Sequence, residues 1–149
     1  MLKLCMRDLF KGIRSTTVLI TFLTAATVSS AGDLKVAIEN VANSEGVIRV
    51  ALYDNESRFL KTPTKSLSAP ASKGTVEFAF SDIPPGPYAV SVYQDLNKNN
   101  KLDSNSIGIP IEPYGVSRNA KGKFGPPSFK ETQFSVDDKP QSIVIKLNR

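Results

Sequence analysis

The chain has 149 residues, room for about one domain, with 19 basic and 14 acidic residues, one cysteine and no histidine. Without histidine, neither Ser-His-Asp nor Cys-His catalysis nor a His-ligated zinc site can be built. The basic residues are scattered among acids and lack the stripe that phosphate backbones need, so nucleic acid is not an expected partner.

Residues 1–31 read as a signal peptide. Lys3, Arg7, Lys11 and Arg14 make a basic start, and Thr16 to Val28 is an apolar run broken only by threonines. Ser29 and Ala31 then occupy the small-residue positions of a cleavage site before Gly32. The run falls short of the roughly 20 apolar residues of a membrane span, so no span is expected in the mature form. An uncleaved anchor is the alternative. Cleavage removes four basic residues and Asp8, which lowers the net charge from +5 to +2, and it takes Cys5 away. The mature domain, 32–149, is then exported to the periplasm or beyond and is disulfide-free.

Leu34, Val36 and Ile38 alternate with more polar or smaller neighbours. Ile48, Val50 and Leu52 resume the alternation after Asn43-Ser44-Glu45-Gly46, and the pair predicts a hairpin. From Asp54 to Ser72 the pattern dissolves, with Phe59 and Leu60 as expected plugs and a short strand near Leu67. Val76, Phe78 and Phe80 predict the next strand. Ile83-Pro84-Pro85-Gly86-Pro87 forces a turn, and Tyr88, Val90 and Val92 follow as an inward row ending at Gln94. Beyond a long loop, 95–129, Phe134 and Val136 alternate, Asp137 to Pro140 turns, and Ile143, Ile145 and Leu147 form a last strand. No segment keeps a 3.6-residue period. About seven short strands predict an all-β fold, an antiparallel Greek-key β-sandwich of immunoglobulin-like or transthyretin-like strand order.

The long loop opens with Asp95-Leu96-Asn97-Lys98-Asn99-Asn100-Lys101-Leu102-Asp103. Oxygen ligands at alternate positions wrap a hard cation, which makes Asp95, Asn97, Asn99, the Lys101 carbonyl and Asp103 a candidate calcium cage, with Leu102 as its core anchor. Asn100 stands where an EF-hand has glycine, and Ser106 where it has a bidentate Glu. Any affinity is therefore expected in the weak class, on the order of 10⁻⁴ to 10⁻³ M. The alternative is a set of Asx-turns in which the same side chains bond their own backbone.

Further along, Ile107, Ile109, Ile111, Tyr114, Phe124 and Phe129 are expected to anchor the loop on the sandwich. Tyr114, Arg118 and Phe124 are candidates for a groove binding a glycan or peptide, and Glu112, set between prolines, is the isolated carboxylate. The runs YQDLNKNNKLD and GIPIEPYGVSRNAKGKFGPPSF resemble a secreted bacterial family defined as a domain of unknown function. The resemblance implies a leader, small size and a β-sandwich, and carries no activity with it. The family pattern has His, Gly and Asn where this chain has Gln94, Asn100 and Arg118. The stretch IPPGPYAVSVYQD is also similar to a strand of transthyretin-like and B-type repeat domains.

The expected function is a non-catalytic exported module that binds a protein or glycan of the cell envelope, with calcium as its one candidate ion and no other cofactor. The alternative is a hydrolytic or carbohydrate-active domain using Glu112 with Asp95 or Asp103; Ser128 with Lys123 or Lys130 is a further pairing on paper.

Overall fold

The computed structural model describes residues 32–122 and 125–148. The signal-peptide expectation for 1–31, with the question of cleavage or anchoring, and the candidates Lys123 and Phe124 lie outside the described residues.

Period-two burial makes β1 (Gly32–Val41) the spine of the first sheet, with Leu34, Val36, Ile38 and Val41 all facing inward. It lies between β4 (Gly74–Ile83), antiparallel, and β8 (Gln141–Lys146), parallel. Val36 faces Phe78 on one side and Ile143 on the other. The second sheet runs β3 (Lys65–Pro70), β2 (Val47–Tyr53), β5 (Gly86–Asp95), β6 (Tyr114–Val116). β7 (Phe134–Val136) pairs with the first residues of β5, so β6 and β7 share one edge of that strand.

The two sheets pack face to face as a β-sandwich. Leu34, Val36 and Ile38 from β1, Ile48, Val50 and Leu52 from β2, and Tyr88, Val90 and Val92 from β5 meet Phe78, Phe80 and Ile145 in one core. Each fully buried aliphatic side chain there contributes about 1.5–3 kcal/mol of transfer free energy. Eight strands are present among the described residues, one more than the apolar alternation suggests, because three-residue β6 lies inside the long loop.

Two expectations about pairing are corrected. β1 and β2 are not a hairpin: they belong to different sheets and face each other across the core. The turn between them is an arch, and Gly46 (φ +73) packs so tightly that an added Cβ would lie 2.1 Å from the Asp95 carbonyl oxygen. The pairing is not wholly antiparallel either, since β8 returns alongside β1 in the same direction.

A second, smaller cluster covers half of the outer face of the second sheet. Phe59 meets Tyr53 edge-on at 5.3 Å between ring centroids and Phe129 at 5.7 Å, over Ala89. Phe129 opens a short helix, α1 (Phe129–Thr132), whose start is fixed by a capping box between Ser128 and Glu131. Leu60, expected as a second plug, takes a left-handed backbone (φ 57) and is 41% exposed.

Candidate functional site

The fold places the 95–113 loop at the end of β5, beside the half of the sheet face that the aromatic cluster leaves open. The loop starts at Asp95, which is fully buried. Its Oδ1 accepts the Asn99 N–H at 3.0 Å, and its Oδ2 accepts the Asn100 N–H at 2.9 Å and Arg49 Nε–H at 2.7 Å. Burial alone would raise this carboxyl's pKa. The Arg49 hydrogen bond, the two backbone amides and the guanidinium charge outweigh that, and hold it below the ordinary carboxylate value. Arg49 also donates to the Asn100 side-chain oxygen.

The remaining candidate ion ligands cluster above this anchor. Asn97 Nδ2 donates to Asp103 at 2.6 Å and Asn99 Nδ2 reaches both Asp103 oxygens at 3.0 Å. The Asn97 and Asn99 side-chain carbonyls accept the N–H groups of Asn99 and Lys101 two residues on, at 3.1 and 2.8 Å. These are Asx-turns, and Lys98 (φ 61) and Asn100 (φ 66) take the left-handed conformations they require. The Asn97, Asn99 and Asp103 side chains do come together above Asp95, and Lys101, expected to lend its carbonyl, donates its N–H to Asn99, but among the described residues no group of three or more His, Cys, Asp or Glu is arranged to hold a metal. Leu102, expected as the core anchor, is 36% exposed.

The true anchor from beneath is Glu112. It is 3% exposed, and its carboxylate accepts the Leu96 N–H at 2.8 Å and the Asp103 N–H at 2.9 Å. Both oxygens are thereby turned into the loop. The adjoining Pro113 carbonyl accepts the Gln94 N–H and extends the β5 ladder. Gln94 is buried, and its amide donates to Asn43 Oδ1 and the Glu45 carbonyl. Ser128 donates to Glu131 as a helix cap.

Register assembles a surface that sequence spacing hides. Arg49 lies opposite Ser68 and Tyr93, and Tyr93 opposite Tyr114, so Ser68, Arg49, Tyr93 and Tyr114 form one row across four strands on the same face. Tyr93 and Arg49 are half-buried and Tyr114 is exposed. Burial raises the Tyr93 pKa and Arg49 lowers it, while Asp95 and Glu112 raise it further, so the phenol stays a hydrogen-bond donor well above neutral pH. Arg118 is not part of this row. It sits in a left-handed turn (φ 61) after β6 and donates to the Gln133 carbonyl. Of the expected groove residues that are described, Tyr114 lies in this row and Arg118 does not; Arg49 and Tyr93 were missed because only strand pairing brings them to it.

No curated protein matches the chain. Among solved structures it is similar to the pilus-presented adhesin Spy0125 (Cpa), at 14% identity and a TM-score of 0.25, over 80% of this chain and 28% of that one. The chain thus spans little more than a quarter of that adhesin's length. The family model described as "Uncharacterized protein conserved in bacteria (DUF2141)" matches residues 36–144, across both sheets and the whole loop, and the chain belongs to that family.

Proposed function

We propose that the chain is a non-catalytic, exported binding module of the bacterial cell envelope, and that its contact face is the open half of the second sheet. The observation that carries this is the row Ser68–Arg49–Tyr93–Tyr114. Aromatic faces stack on the apolar face of a sugar ring, and a guanidinium fixed by Asp95 offers directed donors beside them. The ligand class this suits best is an envelope glycan. The test is a titration with soluble envelope glycan fragments, following the Tyr93 and Tyr114 ring resonances by NMR. Both rings should shift, and Tyr114→Ala or Tyr93→Ala should weaken binding at least tenfold. Binding that survives both substitutions would place the contact elsewhere.

A second reading concerns the loop itself. The alternate oxygen-bearing side chains at 95–103 suit weak calcium binding, for which the Asn97 and Asn99 amides, which donate to Asp103 in this structure, would have to turn their oxygens inward, with Asp95 shared between the ion and Arg49. That competition keeps the affinity near the 10⁻³ M order of extracellular sites. Millimolar calcium should raise the melting temperature of the chain but not of Asp103→Ala. No shift with calcium in the parent chain removes this reading.

A further inference from the structure

Asp103 to Ile111 doubles back as a miniature hairpin. The Ile111 N–H donates to the Asp103 carbonyl and the Asn105 N–H to the Ile109 carbonyl, both at 2.9 Å, and Ser104 bridges Pro110. At the tip, the Gly108 N–H closes on the Asn105 carbonyl at 3.0 Å, while Asn105 Oδ1 takes the N–H groups of Ile107 and Ile109. The turn is therefore hydrogen-bonded within itself, and its base is held by Glu112 through the Asp103 N–H.

The side chains on it are of the wrong kind for water. Ile107 at the tip is 77% exposed, Ile109 56%, Ile111 49% and Leu102 at the base 36%. They were expected to anchor the loop, but Asp95 and Glu112 hold its backbone instead. Contiguous exposed aliphatics on an ordered element mark a contact surface. Four aliphatic side chains spread from the base to the tip of one short hairpin offer far less than the roughly 800 Å² per partner of a stable protein interface. It does suit the boundary between lipid headgroups and acyl chains, where apolar groups enter about 5–10 Å.

Charge at the base agrees. Lys98 and Lys101 are exposed on the segment that leads into the hairpin. The one carboxylate between residues 96 and 111 is Asp103, which keeps its charge while bonded to the neutral Asn97 and Asn99 amides, so Lys98 and Lys101 leave the segment with an excess of one positive charge. An aliphatic tip above a cationic collar complements an anionic bilayer, whose surface attracts nearby lysines.

We propose that the 103–111 hairpin is a membrane-surface anchor that seats Ile107 and Ile109 among the lipids of an anionic phospholipid bilayer, with Lys98 and Lys101 at the headgroups. This surface is separate from the tyrosine row, so failure of either leaves the other standing. In this arrangement the domain rides on the bilayer by its hairpin while the open sheet face stays accessible.

The test is a local one on the full chain, so that apolar residues elsewhere do not decide it. In a Cys5→Ser background, an environment-sensitive dye is placed at Ile107→Cys, or at Ser66→Cys as an exposed control on β3. With phosphatidylglycerol vesicles, the dye at 107 should shift to the blue and be quenched several-fold by nitroxide-labelled lipid, and the dye at 66 should not. The signal should fall several-fold in Lys98→Glu/Lys101→Glu and in about 1 M salt, where screening shortens to ~3 Å. The proposal is overturned by an unshifted dye at 107, by equal signals at both positions, or by a blue shift that grows with protein concentration without vesicles. The last result would assign the tip to a second copy of the chain.

Discussion

Replacing Glu112 tests whether a buried carboxylate, rather than apolar side chains, holds the long loop. Its two oxygens accept the Leu96 and Asp103 amides at 2.8 and 2.9 Å, and the side chain is 3% exposed. Leaving a buried N–H without an acceptor costs about 1–3 kcal/mol, and hydrogen bonds to a charged group lie at the upper end of the usual range. Glu112→Ala orphans both amides. Relief from desolvating the carboxylate and entry of water at the loop margin reduce the sum, so a loss of about 2–4 kcal/mol is expected. Glu112→Gln keeps one acceptor but turns an NH₂ toward the other amide, and should cost about 1–3 kcal/mol. Urea denaturation gives the stabilities, and native-state hydrogen exchange at Leu96 and Asp103 shows whether the loop opens first. If both variants stay within about 0.5 kcal/mol of the parent, with exchange unchanged, the carboxylate is not the anchor. A Glu112→Gln variant of parental stability that has lost a hydrolytic activity would instead support the enzymatic alternative.

The Arg49–Asp95 pair predicts a pH signature. Because the Asp95 pKa is lowered in the folded chain, its contribution is complete above the unfolded value of about 3.9 and is lost as pH falls through the lower, folded one. Arg49→Ala leaves burial opposed only by backbone amides, so stability at pH 7 should drop and the acid-side slope should flatten in urea midpoints taken at pH 7 and pH 3. Parallel curves for parent and variant would refute the coupling. Gly46→Ala forces a Cβ onto the Asp95 carbonyl at a left-handed position, and a loss above about 2 kcal/mol is expected, with faster exchange across the arch. Ser117→Ala removes a buried hydroxyl that accepts the Val90 N–H at 3.0 Å and donates to the Thr132 carbonyl at 2.6 Å. About 2 kcal/mol should be lost, with β5 and α1 loosened together in exchange data.

The core strands were legible because period-two alternation reports which face is buried. Leu34, Val36 and Ile38, and likewise Val90 and Val92, lie inward as their spacing indicates. Alternation says nothing of neighbours, however, and so the arch at Asn43–Gly46 reads like a hairpin turn although it joins opposite sheets. The parallel seat of β8 is invisible for the same reason. In the long loop the apolar residues misled: Ile107, Ile109 and Ile111 are carried outward by a local hairpin, while Asp95 and Glu112 go inside. Hydropathy ranks a carboxylate as a surface group, and only the backbone amides that surround these two make their burial tolerable. The capping box Ser128-x-x-Glu131 was a readable start signal for α1, and its four-residue length is what hid it among the loop's turns.

The parallel seat of β8 also bears on how the molecule comes to be folded. β1 sits between β4 and β8, so Leu34 finds its neighbour Gln141 only after more than a hundred intervening residues are in place. A chain made from its N-terminal end therefore holds β1 unpaired until β4 is made, and half-paired from then until β8 emerges. Long-range closure of this kind is slow, and it makes completion of the first sheet a late, all-or-none event. Until β8 docks, one edge of β1 is an open template, and that interval is when the chain is most exposed to pairing with another copy of itself.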